Sequence, residues 1–264
     1  MILRFITGFA LLGVGIVVIW QGGLWFLAWV WLVAMLNAYE MFGMAKKKHP
    51  TINPIPAYLF ISAMLLSVLH PTLHGLWNSW VGQLLSLGML SFCILELFNK
   101  KVYAFDTPLS STIRIALFVG ILFPYIYLLR DGQQGLVHLW FVLLNIWACD
   151  VFALFGGKLV GKTQLSALSP KKTVEGSIIG LIMCLAMAAI LIVILHLPIV
   201  SYLFLSLIVG ILSQLGDLHE SLIKRHFDSK DSSQLLPGHG GFYDRADSTI
   251  FACPPSYFLL NGIL

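Results

Sequence analysis

Apolar stretches long enough to cross a bilayer recur along the whole chain, separated only by short polar breaks. A hydrocarbon core about 30 Å thick takes roughly 20 apolar residues in a helix. Nine such stretches can be read, at 5–20, 24–40, 56–70, 80–98, 113–129, 136–155, 177–197, 199–215 and 248–263. Charged residues make up 11% of the chain, against about 25% in a soluble domain, so water is not the main solvent of this fold. Lipid-facing backbone must satisfy its polar groups internally, as a helix or a closed barrel. Alternating strands are absent, which leaves an all-α, polytopic integral membrane bundle of about nine transmembrane helices. The first stretch is short and follows Arg4, but the second begins at once with no small-residue cleavage site between them, so it is read as a helix and not as a signal peptide. Pro254-Pro255 is expected to kink or interrupt the last.

Lysine and arginine orient such a bundle, because loops rich in them stay cytoplasmic. With the N-terminus inside, every Lys and Arg falls on the cytoplasmic side except Arg130. That alternation puts the breaks at 156–176 and 216–247 on one face, and these two loops hold nearly all the chemistry. The chain therefore divides into an N-terminal scaffold, 1–135, of about five helices, and a C-terminal catalytic region, 136–264. In the scaffold, tryptophans such as Trp20, Trp25, Trp77 and Trp80 sit near span ends as interfacial belts. Lys46-Lys47-Lys48 reads as a topology signal or a contact to anionic lipid. Glu40 and Glu96 either support the site or reach the headgroups. The four cysteines are far apart, with no C-x-x-C pair, so neither a disulfide framework nor a zinc site is suggested.

The polar residues of the C-terminal region collect in five places. Asp150 lies inside the sixth apolar stretch, where a carboxylate needs a partner or a wet cavity. Gly156-Gly157-Lys158 and Gly161-Lys162-Thr163 resemble a phosphate-cradling loop without P-loop spacing. In Ser169-Pro170-Lys171-Lys172-Thr173-Val174-Glu175-Gly176, adjacent lysines offer compact charge for a polyphosphate, and Glu175 can orient one of them or reach a metal shell. Asp217, Glu220, Ser221 and Lys224 stand at i, i+3, i+4 and i+7, one face of a helix leaving the eighth span. Finally, Gly238-His239-Gly240-Gly241 lets backbone N–H groups approach an anion, with His239 a phosphate ligand or a loop hydrogen-bonder. Asp244 and Asp247 share a face if a helix begins there. With Asp217 they offer hard oxygen ligands suited to Mg²⁺. Such a site fits phosphoryl or nucleotidyl transfer, which depends on positioning and charge neutralisation. A G-x-S-x-G elbow and an H-E-x-x-H zinc motif are both missing.

Over the 27 positions from Ser221 to Asp247, the pattern Ser221-x-x-Lys224-Arg225, Lys230-Asp231, Pro237-x-His239-Gly240-Gly241-x-x-Asp244-Arg245-x-Asp247 closely resembles the signature of bacterial phosphatidate cytidylyltransferases. Ser169 to Gly176 and Gly216-Asp217-x-x-Glu220-Ser221 look like further segments of that family. Ala246 departs from a usual larger apolar residue or threonine, and Leu154 from a frequent aromatic. The resemblance implies conversion of CTP and phosphatidic acid into CDP-diacylglycerol and pyrophosphate. It implies metal held by Asp217, Asp244 and Asp247, as Mg²⁺ alone or with a monovalent cation beside it. Lys171, Lys172, Lys224 and Arg225 would neutralise substrate phosphates, with Thr173, Ser221, Lys230, His239, Gly240, Gly241 and Arg245 as further substrate contacts and Asp150, Glu175 and Glu220 in the catalytic set. The expected setting is a bacterial inner membrane with the site facing the cytoplasm and the lipid bilayer as a partner. A homodimer and no nucleic acid are expected. A CTP-using polyprenol kinase is the alternative within enzymes, and a transporter the alternative outside them; a transporter would spread its polar residues through the midplane.

Overall fold

Prolines and glycines set the helix boundaries. The computed structural model describes residues 13–103, 105–235 and 240–262. A helical run over 13–21 (α1) is separated from α2 (Gly23–Ala45) by Gly22 and Gly23, both at positive φ, which glycine adopts without a Cβ clash. Proline occupies the first turn of α3 (Ile55–Ser67), α4 (Pro71–Asn78), α6 (Pro108–Leu122) and α7 (Pro124–Asp131), where its missing N–H costs no helical bond. His70, held extended before Pro71, breaks α3 from α4 at a 94° bend. The remaining elements are α5 (Trp80–Asn99), α8 (Gly135–Val160), a hairpin of β1 (Gln164–Ser166) and β2 (Ser169–Thr173), α9 (Val174–Leu195), α10 (Ile199–His226) and α11 (Tyr243–Gly262).

Among the described residues, six spans are long and apolar enough to cross a membrane: α2, α5, α6 with α7, α8, α9 and α10. The bent pair α3–α4 makes a seventh if counted as one. The chain is thus a multi-pass, almost wholly helical membrane protein. Of the other expected spans, 5–20 lies partly outside the described residues, and 248–263 falls in α11, which is not among the six. α11 is polar at its start but central in the packing, with Ile250, Phe251, Ala252 and Cys253 fully enclosed. It also runs unbroken through Pro254 and Pro255, contrary to the interruption expected from them. Surrounded by α10, α7, α8 and α2, a chain end or loop here would strand buried backbone polar groups, which costs more than the two hydrogen bonds the prolines forgo. Ser256 Oγ adds a bond to the Ala252 carbonyl at 2.7 Å.

The α8–α9 pair carries the site hairpin between its ends. Gly176, Gly180, Cys184 and Ala188 recur every fourth residue on the buried face of α9. A Cβ on Gly176 would lie 2.6 Å from the Ala153 carbonyl, and one on Gly180 would lie 2.7 Å from that of Cys149. Small residues let membrane helices approach to backbone contact, where dispersion replaces the hydrophobic drive that lipid removes. A polar knot adds to it: Asn145 Oδ1 on α8 accepts from Ser206 on α10 at 2.7 Å and from the Cys184 thiol at 3.5 Å. Gly156 and Gly157 belong to this seam, inside the last turns of α8 and not in a loop. A Cβ on Gly156 would meet Ile179 at 2.7 Å. Their spacing answers to helix packing, and the break expected at 156–176 narrows to the turn and hairpin at 161–173. Residues 216–226 likewise continue α10.

Candidate active site

α10 presents Asp217 and Glu220 one turn apart, and α11 supplies Asp247 from its second turn. One carboxylate oxygen from each lies within 4.8 Å of the other two. Gly216 makes this approach feasible, since a Cβ there would be 2.5 Å from the Asp247 carbonyl oxygen. Glu220 and Asp247 are buried, whereas Asp217 is partly exposed. Three like charges this close need compensation, and two lysines provide it. Lys172 meets Asp217 at 2.5 Å, and Lys224 meets Glu220 at 2.8 Å. Glu220 Oε1 is enclosed and makes no hydrogen bond among the described residues. Asp150, exposed on α8, lies within electrostatic reach of Asp217 and Lys172 from a third helix.

Lys172 arrives on the hairpin, an element the all-helical expectation did not include. Gln164 pairs with Thr173 and Ser166 with Ser169, leaving Ala167 and Leu168 as the turn. A two-stranded ribbon has only edges, so Pro170 is tolerated within it. Successive strand residues point to opposite faces, which sends Lys172 to Asp217 and leaves Lys171 exposed. Thr173 caps α9, its hydroxyl accepting from the Gly176 N–H at 3.1 Å. Glu175 accepts from the N–H groups of Lys162 and Thr163, both at 3.1 Å, and thereby clamps the base of the hairpin. These two residues thus hold the ribbon that carries the lysines.

Asp244 sits beside the carboxylate cluster with both oxygens engaged. Oδ1 accepts from Lys224 at 2.6 Å, and Oδ2 accepts from the Gly241 N–H at 2.8 Å and the Ser232 hydroxyl at 2.8 Å. Burial alone would raise its pKa, but hydrogen bonds from the Lys224 ammonium and the Gly241 N–H outweigh that and hold the carboxyl well below the usual range. Gly240 is at φ +80°, and a Cβ there would lie 2.7 Å from Asp244 Oδ2. Arg225, exposed at the end of α10, donates to the carbonyls of Leu168 at 3.4 Å and Ser229 at 3.2 Å. It ties the hairpin turn to the chain after α10. Ser221 is buried, and Lys230 and Arg245 are exposed. Pro237 and His239 lie outside the described residues.

Several residues at this end of the bundle were left without a firm role by the sequence. Glu40 on α2 accepts hydrogen bonds from residues on both sides of the glycine segment. Lys47 donates to Ser229 Oγ at 2.6 Å, and Lys48 lies over the Phe227 ring. Behind α10, Glu96 is fully buried between Arg114 at 2.7 Å and His219 at 3.0 Å, and it also accepts from the Tyr103 N–H at 2.8 Å. The one signal available was a carboxylate in the last turns of an otherwise apolar stretch. Two cavities lie among these helices, one against the end of α10 and one against the start of α11. One, of about 500 Å³, has Lys100, Lys101, Tyr103, Leu168, Arg225 and His226 among its walls. The other, about 150 Å³ and mostly apolar, lies between α2, α7, α8 and α11 with Arg245 on its wall.

The chain is similar to known proteins over nearly its whole length. A family model described as the cytidylyltransferase family matches residues 2–263. A Bacillus subtilis (strain 168) protein named phosphatidate cytidylyltransferase is 33% identical over 263 residues, covering 97% of this chain and 96% of its own length. Proteins of the same name from Staphylococcus saprophyticus and Staphylococcus haemolyticus are 36% and 35% identical, each over 99% of this chain and 98% of their own.

Proposed function

The chain belongs to the cytidylyltransferase family, and from that premise we propose how its residues carry out the reaction. It is a membrane nucleotidyltransferase of phospholipid biosynthesis, moving CMP from CTP to phosphatidate to give CDP-diacylglycerol and pyrophosphate. A lipid phosphate oxygen attacks the α-phosphorus of CTP; that P–O bond forms as the bond from the α-phosphorus to the oxygen bridging to the β-phosphorus breaks. A phosphomonoester's second pKa is near 6, so the attacking phosphate is largely dianionic at neutral pH and needs no strong general base.

The observation that carries the reading is the carboxylate cluster faced by Lys172 at one end of an apolar bundle. Asp217, Glu220 and Asp247 supply only hard oxygen donors, and the unpartnered Glu220 Oε1 suits a cation ligand. Mg²⁺, alone or with a monovalent cation, fits that donor set. When bound it would neutralise charge on the CTP phosphates and the departing pyrophosphate. Asp244 was expected among the ligands; both its oxygens accept hydrogen bonds, which supports a role in fixing Lys224 beside the metal site. Lys172, on its ribbon, is placed to meet a phosphate oxygen beside Asp217. Lys171, Arg225 and Lys230 are exposed cations that would attract the substrate phosphates. The basic 500 Å³ cleft suits the nucleotide, and the apolar crevice below Arg245 suits an acyl chain.

The bias of Lys and Arg supports a cytoplasmic N-terminus and a site facing the cytoplasm; the bacterial relatives support an inner-membrane location. Dimerisation carries over from the resemblance and is checked by mass measurement in detergent. The reaction is tested with purified protein, Mg²⁺, phosphatidate and CTP labelled separately at the α- and γ-phosphates. Transfer puts the α label in lipid and the γ label in pyrophosphate. The γ label in lipid would mean a kinase and would overturn the assignment.

A further inference from the structure

Glu40 lies near the end of α2, about 200 positions before the signature glycines, and is 1% exposed. Its carboxylate sits where α11 begins. Oε2 accepts from the Tyr243 N–H at 2.8 Å and the Ser232 hydroxyl at 2.9 Å; Oε1 accepts from the Ser233 hydroxyl at 2.6 Å and the Phe242 N–H at 2.9 Å. The first N–H groups of a helix have no partner within it and carry the positive end of its dipole. α11 takes its cap from another helix, and the same carboxylate holds residues 232–233 on the far side of the segment.

Gly241 is the residue this clasp requires. A Cβ on it would lie 2.4 Å from one Glu40 oxygen and 2.5 Å from the other, and would overlap the Ser232 hydroxyl. The N–H groups of 241, 242 and 243 therefore point at two protein carboxylates, Asp244 and Glu40, where a glycine segment read by itself suggests a substrate anion. The Lys47–Ser229 bond fastens the same connection a second time from the chain after α2.

We infer that Glu40 is a positioning residue for nucleotidyl transfer, acting as a cap supplied in trans that fixes the start of α11 and with it Asp244 and Asp247. The inference rests on the cytidylyltransferase reading. It predicts that the N-terminal helices do more than anchor the enzyme, since the geometry of the catalytic acids depends on a carboxylate they contribute. Glu40 touches no atom of the carboxylate cluster directly, so its loss should act on turnover through the loop and leave lipid binding alone.

The test uses full-length Glu40→Gln, which keeps size but cannot accept four donors as a carboxylate does. Hydrogen exchange without substrate should show faster exchange confined to amides within 230–245. kcat at saturating CTP and phosphatidate should fall about tenfold or more, the scale of one charge-assisted hydrogen bond, with KM for phosphatidate unchanged. Ser233→Ala removes one contact only and should give the same pattern at about two- to fivefold. It decides the matter should Glu40→Gln fail to fold. Wild-type kcat in the folded variant, or exchange raised evenly through the bundle, would overturn the inference. The unmodified protein in the same assay separates the two readings, because its failure to transfer the α label would sink the reaction assignment while the exchange result still reports on the clasp.

Discussion

Gly216→Ala isolates how finely the two acid-bearing helices must meet. The new methyl would sit 2.5 Å from the Asp247 carbonyl oxygen and 3.1 Å from the Phe251 ring, where ordinary contact begins at 3.4 Å. Neither neighbour is a flexible tip, so α11 must withdraw by roughly 0.9 Å, the difference between the closest approach and ordinary contact. Asp247 moves with its own backbone, away from Asp217 and Glu220. Misplacing a catalytic group by about 1 Å costs on the order of 100-fold in rate. Overpacking also costs about 1–3 kcal/mol, against which the better helix propensity of alanine returns about 1 kcal/mol. Turnover with both substrates saturating should therefore fall about 100-fold, with a lower unfolding temperature in detergent. Gly43→Ala on α2 is the matched control: nothing lies within 4 Å of its Cβ position, so activity should hold and stability should not fall. Turnover of Gly216→Ala within about threefold of wild type would refute the claim that this contact sets the metal-binding geometry.

Asp217→Asn should abolish turnover while leaving thermal unfolding in metal-free buffer near that of wild type. Mg²⁺ should raise the unfolding temperature of the wild type and not of this variant, and an equal shift in both would remove Asp217 from the ligand set. Arg114→Met strands the fully buried Glu96 with only His219 and one N–H and should destabilise by about 3–5 kcal/mol; unfolding measurements in detergent check this, and a neutral result would mean that Glu96 is not held as an ion. Glu175→Gln weakens the hairpin clamp at Lys162 and Thr163 and should raise KM for CTP more than it lowers kcat, as steady-state kinetics would report.

The sequence by itself determined what is local. Apolar runs of bilayer length without strand alternation specify helices, because lipid leaves the backbone only a helix or a closed barrel to satisfy its N–H and C=O groups. The i, i+3, i+7 spacing put Asp217, Glu220 and Lys224 on one face of α10, and the start of α11 at Tyr243 placed Asp244 and Asp247 a turn apart. Only the tertiary structure decided which of these acids meet. Asp247 joins Asp217 and Glu220 because Gly216 admits α11, while Asp244 is drawn to Lys224 and the Gly241 N–H. Gly156, Gly157 and Gly241 read as a phosphate cradle in one dimension and serve close approach in three. Pro254-Pro255 reads as a break and lies in an unbroken helix, since its surroundings leave no water for a loop. Glu40 carried no motif at all. Its role exists only because folding brings the end of α2 against the start of α11, where one buried carboxylate satisfies four donors that neither segment could satisfy alone.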